Sequence, residues 1–522
     1  MTKENEEKHF NRRGEQEYDR SAKDYKKNRY KLTTQKFPIR SSRAESTTIM
    51  PSASVNRNLP SGGSGNNSVR YRTFNAKQIS QFCNYNPRRD FGRCLEYNRD
   101  AVPSVWTRSQ AEQIRINSTN VAPLIEAPFP RISPDLWIWD MWPLIEKDGS
   151  IAVLPGGWRV LFALSVPRSV LPGKRHDVAR ISYFYSRNGL DWIQGGYVFE
   201  EGTALGSRQW AGSAMLDDDG RIYYFYTATG RRGEAQITYE QRIALSSSDY
   251  ISDLDGVQLV NFAPHQVILE PDGILYQTEE QSSGGIIYAF RDPFFFKDPA
   301  TGCEYLLFEG NIAGTSADID CGPGVPAEAA EYTGNIGIAL LRNNSFTSWE
   351  LLPALLEAGC TNQQTERPHI VVSDGLYYLF TDTHASTFAP GLVGPDGLYG
   401  FVAGSLRGNY VPLNGSGLVV SNPPSEPFQA YSWLVLPDFS VLSFIDNFDL
   451  QGIPIEEVGF LPEQFQYEHF GGTLAQTLQL SVTGRNTQIV DVYEYGLMMI
   501  SDTESPKCIP CKDEDSEKHH KC

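Results

Sequence analysis

The chain reads as an all-β fold, a sandwich, barrel or propeller, and three observations lead there. Aromatic residues make up 12% of the 522 positions, and the 45 Gly and 32 Pro favour strands and tight turns over helices. From Trp137 onward, short apolar runs alternate with turn residues, and no strand–helix alternation competes with them. Nearly 400 residues of this pattern run without a linker break, which fits a propeller better than a single sandwich.

The elements follow in order. Residues 1–73 are polar and then rich in Ser, Gly and Asn, a composition expected to stay disordered. Structure is expected from about Phe74, and Thr107 is placed to cap a short helix over Ser109–Ile114. Strands are expected over Ile151–Leu154, Trp158–Leu164, Arg180–Ser186 and Arg221–Thr227. Further runs are Ile286–Phe296, Glu304–Phe308, Ile336–Leu341, Leu376–Thr381 and Trp433–Phe444. The body is thus one domain, 74–500, followed by a polar tail, 501–522. That tail carries Cys508, Cys511, His519, His520 and Cys522, a zinc-compatible set in a segment better read as disordered.

Charge excludes some classes. The net charge is −17, although residues 1–70 hold 15 Lys/Arg against 8 Asp/Glu, so the body is strongly acidic. Nucleic-acid binding is not expected of such a surface. No apolar run is long enough to span a membrane, and the charged N-terminus shows no ordinary secretory signal.

Chemistry concentrates in Trp137-Ile138-Trp139-Asp140-Met141-Trp142-Pro143, where three indoles crowd one carboxylate. Strict alternation puts Trp137, Trp139 and Met141 on one face and Ile138, Asp140 and Trp142 on the other. Asp140 is then either a turn-capping residue or a glycosidase nucleophile in an aromatic cup. Trp210 in Gln209-Trp210-Ala211-Gly212-Ser213 offers a second ring beside small residues. Arg291-Asp292-Pro293 inserts a charged pair into an apolar strand, which must end or bulge there. Glu366-Arg367-Pro368 repeats the pattern at another strand mouth, and His384 follows Thr381-Asp382-Thr383.

In this order, Trp-Asp-x-Trp-Pro, Trp-x-Gly-Ser-Ala, Arg-Asp-Pro and Glu-Arg-Pro resemble glycoside hydrolase family 68 over roughly residues 104–500. That family holds levansucrases, inulosucrases and bacterial β-fructofuranosidases. The resemblance implies a five-bladed β-propeller with a central funnel. It implies a retaining enzyme that splits sucrose through a fructosyl-Asp140 intermediate and passes fructose to a sugar or fructan (levansucrase-type) or to water (β-fructofuranosidase). Asp140 would be the nucleophile, Glu366 the acid/base, and Asp292 the holder of fructosyl hydroxyls. Trp139 and Trp210 would line the fructosyl subsite. Arg291 and Arg367 would bond hydroxyls or orient the acids, and Glu309 would orient the arginines. Gln364 and His384 would face the glucose unit, and Tyr431 would be a pocket tyrosine. No cofactor and no metal are implied, because Gln363-Gln364-Thr365 lacks the calcium-binding acids of Gram-positive members. The chain looks closer to the Gram-negative branch, which implies a monomer working outside the cell; the N-terminus taken alone reads as cytoplasmic. The same branch implies a mid-chain disulfide, Cys303–Cys360 or Cys321–Cys360. One position departs: Ala211 stands where many levansucrases carry a serine that bonds the nucleophile, which leans toward hydrolysis and short products.

Overall fold

The computed structural model describes residues 87–98 and 101–499. The expectations for 1–73, for a start at Phe74 and for 501–522 lie outside the described residues.

The strands form five consecutive antiparallel meanders, each opened by the strand nearest the centre. These inner strands are Leu136–Glu146, Arg208–Leu216, Arg291–Lys297, Glu366–Ser373 and Ala430–Val435. The first two pair in parallel, Leu144 opposite Ala214, and join two meanders into a nine-stranded sheet. Each inner strand packs against the next, and the fifth returns to the first, so the five enclose a central axis. Between the sheets lies the core, in which Trp137, Trp139, Phe162, Phe225, Tyr305 and Trp433 are almost fully buried. Aromatic and β-branched side chains suit such stacked pleated faces, and burying each contributes about 1.5–3 kcal/mol.

Most expected strands are present, with adjusted limits. Arg180–Ser186 agrees at both ends. Thr107 caps a short helix, Arg108–Ala111, by accepting from the Gln110 N–H. The expected strand Ile151–Leu154 is instead two isolated bridges, one at each of those residues. In Ile286–Phe296 only Arg291 onward is strand, and Trp433–Phe444 is a hairpin of Ala430–Val435 and Ser440–Asn447 turning at Phe439, where φ is 62°.

One device recurs in all five inner strands. The register shifts between Trp139 and Trp142, Trp210 and Gly212, Arg291 and Phe294, Glu366 and His369, and Tyr431 and Leu434. Asp140, Asp292, Arg367 and Ser432 sit at four of these bulges with φ of 47°, 59°, 51° and 57°. A left-handed backbone is costly for non-glycine residues and is retained where surrounding structure imposes it, often at functional sites. It corrects the strict alternation expected at Trp137–Trp142. A bulge places two consecutive side chains toward the same side, so Trp139 and Asp140 both reach the axis.

Among the described residues two disulfides are present, Cys94–Cys303 and Cys321–Cys360. The alternative Cys303–Cys360 is therefore wrong: Cys303 is taken by Cys94, on the helix Pro87–Asn98 that packs over the third meander. Cys321–Cys360 closes a loop of 39 residues just before Gln364 and Glu366. Replacing both cysteines with serine is expected to cost about 2–4 kcal/mol. Denaturant unfolding of the variant against the oxidised parent measures it, and an unchanged midpoint would contradict the expectation.

Candidate active site

The five bulges open onto one cavity of about 440 Å³ at the end of the axis. Trp139 with Asp140, Trp210 with Ala211, Arg291 with Asp292, and Glu366 with Arg367 line it as consecutive pairs. Gln364, His384 and Tyr431 complete the ring. Ten of the eleven residues singled out from the sequence thus meet in one pocket. The eleventh, Glu309, is fully buried behind Arg291.

The charged groups form two linked networks. In the first, Arg291 Nε lies 2.8 Å from Glu309 Oε2 and its Nη2 lies 3.0 Å from Glu366 Oε1. The Thr365 N–H also reaches Glu309 Oε1 at 3.2 Å, which ties the segment before Glu366 to the third meander. In the second, Arg367 donates to Ser432 Oγ at 2.6 Å and to the Met141 carbonyl at 2.7 Å. Its guanidinium is 4.0 Å from Asp140 Oδ1. Its backbone N–H, turned inward by the bulge, donates to Asp292 Oδ2 at 3.1 Å. The Asp292 N–H in turn donates to Thr227 Oγ1 at 3.0 Å. Asp292 is therefore held through backbone groups that only this bulged conformation presents.

Ala211 supplies no hydroxyl to Asp140. Ser432, from the fifth meander, accepts from Arg367 and is among the groups that lower the proton affinity of Asp140. The departure at Ala211 stands, and the Ser432 bulge lies next to Tyr431 on the inner strand of the fifth meander.

His384 stacks on Tyr431, with ring centroids 3.8 Å apart, and its Nε2 is 3.6 Å from Glu366 Oε2. The other ring nitrogen lies 2.9 Å from Asp396 Oδ2. Despite burial, Asp396 and Glu366 push the imidazole up to about 9, so it is a cation at neutral pH. The Tyr431 hydroxyl donates to Glu366 Oε2. Against burial, His384, Arg291 and this hydroxyl hold Glu366 below the ordinary carboxylate range. Asp140 is pushed up, by burial first and by the Glu366 charge, against Arg367. Asp292 is pushed up to about 6, chiefly by burial, and Glu309 further still. Among the described residues no group of three metal-ligating side chains is assembled.

Sequence reasoning missed part of the wall. Arg175, His176 and Asp177 come from a short turn, Pro172–Val178, that folds over the cavity. His176 stands edge-on between Trp139 and Trp210, and its carbonyl accepts from Trp210 Nε1 at 3.0 Å. Arg175 lies 3.5 Å from Asp446, bridging the first meander to the fifth. Tyr239, Ile287 and Phe444 also line the cavity. The charged run Lys174-Arg175-His176-Asp177 between two strands was the available signal.

Comparisons with known proteins identify the family. The levansucrase/invertase family profile, glycoside hydrolase family 68, matches residues 96–499. A levansucrase of Rahnella aquatilis is 38% identical over 427 residues, covering 76% of this chain and 97% of its own. An inulosucrase from Halalkalicoccus jeotgali bound to kestose superposes with a TM-score of 0.74 at 50% identity, covering 78% of this chain and 99% of that one. A levansucrase from Gluconacetobacter diazotrophicus gives 0.65 at 30% identity, over 77% and 94%. The chain is a β-propeller enzyme that belongs to the levansucrase/invertase family, glycoside hydrolase family 68.

Proposed function

We propose that this enzyme cleaves sucrose with retention, through a fructosyl–Asp140 ester, and transfers fructose to a sugar or fructan acceptor. The observation that carries it is the convergence of Asp140, Asp292 and Glu366, from three separate meanders, in one cavity walled by Trp139 and Trp210. Indole faces suit a sugar ring, and a retaining mechanism needs one carboxylate as nucleophile and one as acid/base. Asp140 attacks the anomeric carbon from the tryptophan-lined floor. Glu366, on the side of His384 and Tyr431, protonates the departing glucose oxygen and then takes a proton from the acceptor. Asp292, fixed by the Arg367 backbone N–H and by the Thr227 hydroxyl, holds fructosyl hydroxyls as positive charge develops.

In the free enzyme burial raises Asp140 and Asp292, whereas His384, Arg291 and Tyr431 lower Glu366 against burial. As the acid, Glu366 must gain a proton once the departing glucose oxygen enters this network. Family relatives support the transfer reading over simple hydrolysis. A second reading concerns linkage alone: the 50% identity to an inulosucrase favours inulin-type products over levan.

The test is to incubate the enzyme with sucrose and measure glucose and free fructose. Glucose in excess is the expected result, and linkage analysis of the polymer then separates the two products. Absence of glucose release would overturn the proposal.

A further inference from the structure

Asp382 is a buried acid that the proposed mechanism does not use. It is fully enclosed, and neither carboxylate oxygen accepts a hydrogen bond within ordinary limits. It sits directly across the strand pair from Glu366, so both side chains project from the same part of the sheet. On one side it is flanked by the strand Gly397–Ala403, which places apolar Leu398 opposite it; the groups that bear on its charge come from other elements. Glu366 and Arg367 face it from the inner strand of its own meander, and Asp140 faces it from the first. The Trp433 backbone N–H approaches from the fifth, next to the Ser432 bulge.

An ionised carboxylate in this place would be desolvated, short of donors and flanked by two further carboxylates. The guanidinium within reach, Arg367, is already committed to Ser432, Met141 and Asp140. Around the cavity, acids outnumber cations: Asp140, Asp292, Glu309, Glu366 and Asp446 share Arg175, Arg291, Arg367 and His384.

We propose that Asp382 works as a non-reacting carboxyl behind Asp140 and Glu366 that stays protonated over the working pH range, a positioning residue whose ionisation closes the alkaline side of the activity profile. While neutral, it leaves Arg367 to Asp140 and adds no charge opposite Glu366. Once ionised, it draws Arg367 away from Asp140 and repels Glu366, and the catalytic pair loses its geometry. Burial and the two neighbouring carboxylates hold its proton well above the ordinary carboxylate range, in keeping with this. The role rests on the reading of Asp140 and Glu366 given above, and so the first test is one of stability, which is independent of that reading.

The sign is fixed by linkage. The unfolded chain ionises Asp382 at its ordinary value and the folded chain does not, so this residue lowers stability progressively as pH rises above about 4. Asp382→Asn removes the titration and keeps the shape. The melting temperature of Asp382→Asn minus that of the parent is expected to grow between pH 4.5 and 8, by about 2 °C or more. Infrared spectra of the parent minus the variant at pH 7 should show one protonated carboxyl band. Sucrose turnover by the variant, scaled to its own maximum, should extend to higher pH. A variant whose deficit in melting temperature deepens as pH rises would overturn the proposal, as would a difference spectrum with no protonated band. Should the amide variant fail to fold, Asp382→Ser takes its place in both measurements. If both stability and infrared results hold while neither protein releases glucose, it is the sucrose reading that falls.

Discussion

Asp140→Asn is expected to abolish sucrose cleavage, lowering kcat by about 10⁴-fold or more, while the protein stays folded. The amide matches the carboxylate in shape but cannot form the ester that divides the reaction into two steps. The surroundings are built to receive this group. Arg367, anchored on Ser432, stands 4.0 Å away, and the Asp140 backbone is held at φ 47°. Loss of a charge that burial already disfavours should not destabilise the fold, and the melting temperature is expected to stay level or rise slightly. Initial glucose release and a thermal melt on the same preparation check both halves. Retained activity would refute the nucleophile assignment, and an unfolded variant would show the carboxylate to be structural.

Glu366→Gln is expected to be the next most damaging change, at about 10²–10⁴-fold in kcat on sucrose. Its effect should depend on the leaving group, which distinguishes it from loss of the nucleophile. Glucose leaves poorly without a proton, whereas an activated aryl fructoside needs little help. The first step should therefore recover on the activated substrate, and breakdown of the intermediate should become limiting. The substitution also removes the charge that pairs with Arg291 and His384. His384 should then titrate at lower pH, because Glu366 is one of the groups pushing it up. An equal loss on both substrates, with no shift at His384, would contradict an acid/base role at this position.

The sequence displayed the chemistry more openly than the geometry that assembles it. Trp139-Asp140, Arg291-Asp292 and Glu366-Arg367 stood out because charged groups inside apolar strands have few structural explanations. Their convergence was implied by family resemblance and could not be read from periodicity. Alternation even misled at Asp140, since period two fails where a bulge adds a residue. The backbone setting of Asp140, Asp292, Arg367 and Ser432 leaves no mark in composition, as none of the four is glycine. Arg175, His176 and Asp446 were overlooked for another reason. They sit on a turn and at a strand end, and their placement depends on the first meander leaning against the fifth. Ala211 was legible as a departure, but the Ser432–Arg367–Asp140 chain was visible only once distant strands were brought side by side.

The central claim is that Asp140 carries the fructosyl group. One measurement addresses it directly. Glu366→Gln is mixed with an activated fructoside, quenched in acid, digested and analysed by mass spectrometry. The account predicts a mass increase of one fructosyl residue on the peptide containing Asp140. The same increase on a peptide containing Asp292, or no adduct together with an inverted product, would contradict it.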